Sequence, residues 1–242
     1  MNNTTLTQKD PMGHAIAEYH KKGRAAKLRV FSSQFYEDEI PVETLFRSFE
    51  EMPVQEQEAI KLCKGRVLDV GAGSGCHSLE LHRRGLDVLA IDISQLSVEV
   101  MTERGVNARL VNFFDETFQE QFDTILMAMN GIGIVGKLEA LPTFFNRLKQ
   151  LLASGGQILL DSSDIRYVFE DEDGNLDLDP EDGYYGELDY RMQYRSVKGD
   201  VFDWLYIDFD TLSSYAQQYG FACEKITDGS NYDYLARLTR MG

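Results

Sequence analysis

Residues 67–75 read Val67-Leu68-Asp69-Val70-Gly71-Ala72-Gly73-Ser74-Gly75. An apolar run carrying one acid ends in alternating glycines, and an amphipathic stretch follows at once. The pattern predicts a strand over 66–70, a tight turn, and a helix over 75–84. Glycine adopts the left-handed backbone that such a turn needs and lets a ligand approach main-chain atoms without meeting a Cβ. The start of the helix adds unpaired N–H groups and a positive dipole end. Together these suit a nucleotide-like ligand lying across the carboxyl ends of the strands. The spacing is G-x-G-x-G, not the G-x-G-x-x-G of dinucleotide enzymes. Asp69, two residues before the first glycine, would oppose a pyrophosphate but support a ligand that carries an amino group.

Working outward, apolar runs of about five residues alternate with amphipathic stretches of ten or more, the signature of βα units and a parallel sheet. Strands are expected at 66–70, 86–91, 108–112, 122–129 and 156–161, with helices at 75–84, 95–104 and 137–152. Ser94 is placed to cap the second helix and Gly105 to end it. Leu138, Leu141, Phe145, Leu148 and Leu152 give the third helix one buried face. Asp92 ends the second strand about twenty residues beyond the first glycine, where an acid can accept hydrogen bonds from ribose hydroxyls.

Val-Leu-Asp-Val-Gly-Ala-Gly-Ser-Gly at 67–75, followed by Ala90-Ile91-Asp92-Ile93-Ser94, resembles the first two motifs of class I S-adenosylmethionine-dependent methyltransferases. The resemblance covers residues 66–161 closely and the closing strand–helix–strand tail more loosely. It implies a Rossmann-like α/β fold with a seven-stranded, mostly parallel sheet and helices on both faces. It also implies S-adenosylmethionine as cofactor. The backbone of Gly71, Ala72 and Gly73 would hold the methionine part, with Asp69 engaging its amino group. Asp92 would bind the ribose hydroxyls and Ile93 would lie against the adenine. Asn112, with Phe113 beside it, stands where the family usually offers an acid to the adenine amino group; Asp115 is the alternative. Asn130, after the fourth strand, is a substrate-facing candidate. The Asn/Asp-Pro-Pro-Tyr/Phe of adenine and glutamine amino-group methyltransferases is replaced here by Asn130-Gly131-Ile132-Gly133.

Residues 1–64 are expected to form a helical cap, and 65–242 the cofactor-binding domain with an insertion at about 162–207. A helix is expected at 11–22 and further helix at 41–62, broken at Pro53. Lys21, Lys22, Arg24, Lys27 and Arg29 form a basic stretch, read as a solvated helix end or as a lid attracting an anionic group. Tyr19 is a second substrate-facing candidate, and His14, His20 and Tyr19 are candidate general bases; no catalytic residue is assigned. In the insertion, residues 169–189 hold ten acids and no base. Asp171, Asp173, Asn175 and Asp177 begin like a calcium loop, but Leu176 and Asp182 stand where glycine and glutamate belong, so no metal is expected. A β-hairpin is expected over 188–197 and 201–207, turned by Lys198-Gly199-Asp200, with Tyr184, Tyr185, Tyr190, Tyr194, Trp204 and Tyr206 as sheet packing or as an aromatic wall. Asp210 is placed to cap a last helix over 211–219, before strands near 221–227 and 232–239.

The 242 residues carry 40 acids against 24 bases, a net charge of −16. That field repels phosphates and anionic membranes. The expected acceptor is therefore a small molecule, with nucleic acid disfavoured. No apolar run approaches the ~20 residues that span a bilayer, the first residues lack a signal-peptide core, and three cysteines without close pairing fit reduced thiols. These point to a cytoplasmic protein. The alternatives are a non-catalytic S-adenosylmethionine-binding protein and a nicotinamide-dependent oxidoreductase, the latter opposed by the glycine spacing and Asp69.

Overall fold

The computed structural model describes residues 9–169 and 183–242. Its main sheet holds seven strands: β3 (Arg66–Val70), β4 (Asp87–Asp92), β5 (Ala108–Leu110), β6 (Phe122–Met127), β7 (Leu152–Ser163), β11 (Phe221–Asp228) and β12 (Asp233–Arg240), in the order β11-β12-β7-β6-β3-β4-β5. Pairings from β5 through β7 are parallel; β12 runs antiparallel to both β7 and β11. The central strands are continuous apolar runs because helices cover both faces. Side chains alternate across the pleat. Val67, Val88, Leu126 and Leu159 meet α2 (Val54–Leu62) and α3 (Cys76–Arg83), while Ala90 meets α4 (Gln95–Glu103). On the other face Leu68, Ile125, Ile158 and Leu160 meet Phe144, Phe145 and Leu148 of α5 (Leu141–Leu151) and Leu212 of α6 (Phe209–Gln218).

A second, antiparallel sheet lies outside this frame: β10 (Phe202–Leu205), β8 (Glu187–Tyr194), β1 (Leu28–Phe31) and β2 (Asp38–Ile40) in that order, with β9 (Val197–Lys198) on β8. Helix α1 (Pro11–Lys22) is buried on two sides. Ala15 packs on Leu28 and Tyr194, and Ile16 on Leu45 and Val100.

The cap departs from the helical expectation. Strands β1 and β2 were not anticipated: β1 is four residues long and gains its place by pairing Val30 with Met192. The basic stretch is largely neutralised in the cap, Lys27 by Glu39 at 2.6 Å and Arg29 by Glu37. Residues 41–62 are mostly 3₁₀ turns before α2 begins after Pro53. The hairpin turns earlier than expected, at Arg195 (φ 52°), which closes Tyr194 onto Val197. Gly199 supplies no left-handed turn; its N–H donates to Met192 O at 3.0 Å. Asp208, not Asp210, caps α6, accepting from Thr211 N at 2.9 Å. Strand β7 begins at Leu152, four residues earlier than the periodicity indicated. Asp171, Asp173, Asn175 and Asp177 lie outside the described residues.

Candidate active site

The glycine turn is left-handed at each glycine: φ is +68° at Gly71, +58° at Gly73 and +80° at Gly75. A side chain at any of these would strain the backbone. Space beside Gly71 is open, and beside Gly73 the nearest atom a Cβ would meet is Ile16 Cδ1 of α1 at 3.9 Å. The cap helix therefore roofs the turn without filling it. Gly71 and Ala72 donate to Ile91 O at 2.9 and 3.2 Å, which fastens the turn to β4. Asp69 faces α3, wholly buried, and accepts from Ser78 Oγ at 2.6 Å. Burial raises its pKa, opposed by His77 and Ser78.

Asp92 links the turn to the cap. Its Oδ2 accepts from Gly73 N at 2.9 Å and its Oδ1 from Ser94 N at 2.8 Å. Ser94 Oγ accepts from Ser97 N at 3.0 Å, capping α4, and donates to Asp10 Oδ2 at 2.5 Å; Asp10 in turn caps α1 through Gly13 N at 2.7 Å. Burial pushes the Asp92 pKa up to about 6, reinforced by the charge of Asp10 and opposed by the N–H groups of Ser94 and Gly73. Ile93 is 72% exposed and Leu110, at the end of β5, 40%. Both offer apolar surface beside the Asp92 carboxylate.

Asn112 is exposed, and its Oδ1 accepts from Phe114 N at 2.9 Å in an Asx turn. Phe113 points the other way, 3% exposed against Phe144, so only its main chain is available to a ligand. Asp115 is turned onto Thr117. Arg147, buried on α5, holds this loop by donating to the carbonyls of Phe113, Asp115 and Phe118 at 2.5 to 2.7 Å.

After β6, Met129 and Asn130 both have positive φ, 62° and 55°. Asp161 on β7 stabilises this turn: its carboxylate accepts from Met129 N at 3.1 Å, Asn130 N at 2.8 Å and Gly131 N at 3.4 Å. Burial, then the charge of Glu56, pushes the Asp161 pKa up to about 7 against those N–H groups. The Asn130 side chain is engaged at both ends. Its Nδ2 donates to Leu205 O at 3.1 Å and its Oδ1 accepts from Ser162 Oγ at 2.8 Å. Through these two bonds Asn130 ties β10 of the cap to β7 of the main sheet. Asn130→Ala should destabilise the protein by about 2 kcal/mol, from two lost part-buried hydrogen bonds and a non-glycine left-handed residue deprived of its local bonding, while S-adenosylhomocysteine affinity changes less than threefold. Thermal melts and calorimetry read the two; a tenfold affinity loss with an unchanged melting temperature would place Asn130 at the cofactor.

Tyr19 packs within the cap. Its ring lies 4.6 Å from Phe46 within the cap, and His20 Nε2 meets Glu103 Oε2 at 3.1 Å. Tyr194 is buried against α1, its hydroxyl donating to Glu18 Oε2 at 2.9 Å and accepting from Ala26 N at 3.0 Å. Tyr190 and Tyr206, by contrast, line a solvent-open cleft of 270 Å³ with Phe35, Ser163, Ile165, Tyr167, Leu188 and Asn231. The cleft lies at the carboxyl end of β7, under the cap sheet. Strand β7 stands two places from β3, roughly 10 Å at ~4.8 Å per strand.

Residues 67–156 match the family model described as a methyltransferase domain. Across 98% of its length, and 97% of that chain, the protein is 59% identical to an S-adenosylmethionine-dependent methyltransferase from Bacteroides fragilis, whose crystal structure is a complex with S-adenosyl-L-homocysteine; the TM-score is 0.92. The chain belongs to the S-adenosylmethionine-dependent methyltransferases. It is also 31% identical over 102 residues to a cypemycin N-terminal methyltransferase from Streptomyces sp, covering 40% of this chain and 42% of that protein. It is 31% identical over 124 residues to an uncharacterized methyltransferase of Staphylococcus carnosus (strain TM300), covering 50% and 56%. The chain thus spans about half the length of these curated relatives.

For this methyltransferase the nicotinamide alternative falls. The open left-handed turn, the acceptor oxygens of Asp92 and the exposed Ile93 fit S-adenosylmethionine. Three features escaped the reading of the sequence. Arg147 stood visible as a charge on the buried face of a helix. Asp161 stood visible as an acid ending an apolar strand. Glu56, buried and bonded to Arg47 and to His77 Nε2 at 2.6 Å, carried no signal at all. Among the described residues no cluster of three or more His, Cys, Asp or Glu could hold a metal ion, and no helix is long and apolar enough to cross a membrane.

Proposed function

We propose that this protein transfers a methyl group from S-adenosylmethionine to a small-molecule acceptor bound in the cleft between β7 and the cap sheet. The observation that carries the reading is the cleft itself. It is bounded on one side by the sheet end that bears the glycine turn and on the other by the cap, and its size suits a small molecule. A net charge of −16 disfavours a nucleic-acid acceptor.

In this reading the main chain of Gly71 to Gly73 holds the methionine part of the cofactor. Asp69 acts from beneath the turn, its charge favouring an amino group above. Asp92 accepts the ribose hydroxyls, Ile93 supports the adenine, and Asn112, with the main chain of Phe113, meets the adenine edge. Bound there, S-adenosylmethionine supplies a methyl already activated by its sulfonium. The chain's own task is to hold the acceptor in line and exclude bulk water. Ile16 roofing the turn and Asn130 fastening the cap to the sheet both serve that exclusion.

Calorimetric titration of the whole protein with S-adenosylhomocysteine, with NADH as control, tests the reading. Micromolar binding of the first and none of the second is expected. Failure of S-adenosylhomocysteine to bind would overturn it.

A further inference from the structure

We propose that the cleft selects an organic amine, a small molecule presenting an amino or ammonium group beside an apolar body. This rests on the methyl-transfer reading above and names its acceptor class.

Four aromatic rings line the cleft, those of Phe35, Tyr167, Tyr190 and Tyr206, and the remaining walls are aliphatic or neutral polar. No lysine, arginine or histidine is among the described residues that line it. Aromatic faces attract cations through the negative potential above the ring. The hydroxyls of Tyr190 and Tyr206 lie 3.4 Å apart and add neutral oxygen acceptors. Burial first keeps both as un-ionised phenols; Tyr206 and then Asp38 and Asp189 add to this for Tyr190, while for Tyr206 the Tyr190 hydrogen bond opposes it and Tyr167, Asp38 and Asp161 add to it. Asp164, next to the lining residue Ser163, accepts from Tyr185 Oη at 2.8 Å. Nearby bases turn elsewhere. Arg191, adjacent in sequence to Tyr190, points to the opposite face of β8 and lies over Phe31 at 4.9 Å. Arg166 is exposed and does not line the cleft.

A carboxylate or phenolate acceptor would find only neutral donors among the described lining residues, the Asn231 amide and the hydroxyls of Ser163, Tyr190 and Tyr206, and no cationic side chain to balance its charge. An amine meets it favourably, and most favourably during transfer. The nitrogen reacts as the free base, after losing a proton to water. Its lone pair forms the N–CH3 bond while the S–CH3 bond breaks and that electron pair returns to sulfur. Positive charge therefore moves onto nitrogen, among aromatic faces and neutral oxygen acceptors, and the N-methylated ammonium then releases its proton to water. Groups that meet charge where it develops favour the transition state over the ground state.

The test uses the full chain saturated with S-adenosylhomocysteine and three probes of similar shape: 2-phenylethylamine, 2-phenylethanol and 3-phenylpropanoate. Calorimetry is expected to show the amine bound at least about tenfold tighter than the alcohol, from cation–π attraction alone, and the carboxylate weakest. The margin should shrink at about 0.5 M salt, where exposed charges are screened. Tyr190→Ala and Tyr206→Ala should each weaken amine binding about fivefold while S-adenosylhomocysteine affinity stays unchanged. Equal or reversed preference, or no binding of any probe while S-adenosylhomocysteine still binds, overturns the amine assignment alone. Loss of S-adenosylhomocysteine binding by the unmodified protein overturns the methyl-transfer reading and takes this inference with it.

Discussion

Replacing Asp92 with alanine is expected to weaken S-adenosylhomocysteine binding by about 100-fold or more while the protein stays folded. The carboxylate sits at the end of β4 and already accepts from Gly73 N and Ser94 N. Without it, the ribose hydroxyls lose their acceptor and the glycine turn loses the bond that holds Gly73. Hydrogen bonds to a charged group contribute about 1.5–3 kcal/mol each, and every 1.4 kcal/mol is tenfold in affinity, so two such bonds give about two orders of magnitude. Asp92→Asn keeps one acceptor oxygen and should lose roughly tenfold. The pH profile follows with a definite sign. In the free protein the Asp92 pKa is pushed up to about 6. In the proposed binding mode ribose hydroxyls donate to the ionised form, so binding is expected to lower that pKa. Affinity is therefore level above pH 6 and falls as pH drops below it, by about tenfold per unit until the pKa of the complex is reached. Asp92→Asn should abolish the slope. Calorimetry between pH 5 and 8, with circular dichroism to verify folding, reads all of this; an alanine variant within threefold of the unmodified protein would remove Asp92 from the site.

Glu56→Ala should cost about 3–5 kcal/mol of stability, a fall in melting temperature on the order of 10 °C for a chain of this length. The Glu56 side chain is 5% exposed, and its two oxygens take Arg47, itself 12% exposed, and His77. Removing the carboxylate strands two buried cations. Burial opposes ionisation of Glu56, but His77 and Arg47 hold its pKa below the ordinary 4.5. Burial likewise opposes protonation of His77, yet Cys76, Glu56 and Asp69 raise it well above 6.5. The Glu56 contribution is thus present above pH 4.5 and lost as pH falls through its folded value. That of His77 is complete below 6.5 and lost as pH rises through its folded value. The difference between the unmodified protein and Glu56→Ala should accordingly be largest between about pH 4.5 and 6.5. Glu56→Gln, which keeps the hydrogen-bond acceptor, should recover part of it. Thermal melts across pH 4 to 9 measure the effect, and a shift under about 2 °C would show that the network contributes little.

Glu56 also shows how far a sequence can be read. Its buried partners lie 9 and 21 residues away along the chain, at distances fixed by how α2 packs on α3, and no local pattern announces them. The same holds for β1. Leu28–Phe31 is too short to be read as a strand within a basic stretch, and it becomes one because residues 191–194 lie beside it. For Tyr19 the helix was legible, but the face it turns toward Phe46 was not. Gly199 was misread as the hairpin turn for a related reason. Register, set by Tyr190 opposite Phe202 and Tyr194 opposite Val197, moved the reversal to Arg195.

What the sequence alone determined is whatever a contiguous stretch can encode: the five parallel strands from their apolar runs, the helices from their 3.6-residue spacing, and the cofactor turn from glycines whose left-handed φ requires the absence of a Cβ. Asp92 belonged to that part as well, because its place is measured in residues from the turn. The tertiary structure alone decided what depends on distant segments meeting. It folded the cap into a second sheet from residues 28–40 and 187–205, aimed Phe113 inward, gave Asn130 to the frame and Asp161 to the turn beside it, and left Tyr190 and Tyr206 facing a cleft. Local backbone preference and periodicity act within a few residues, whereas the closing of long loops is settled only when whole apolar faces find one another.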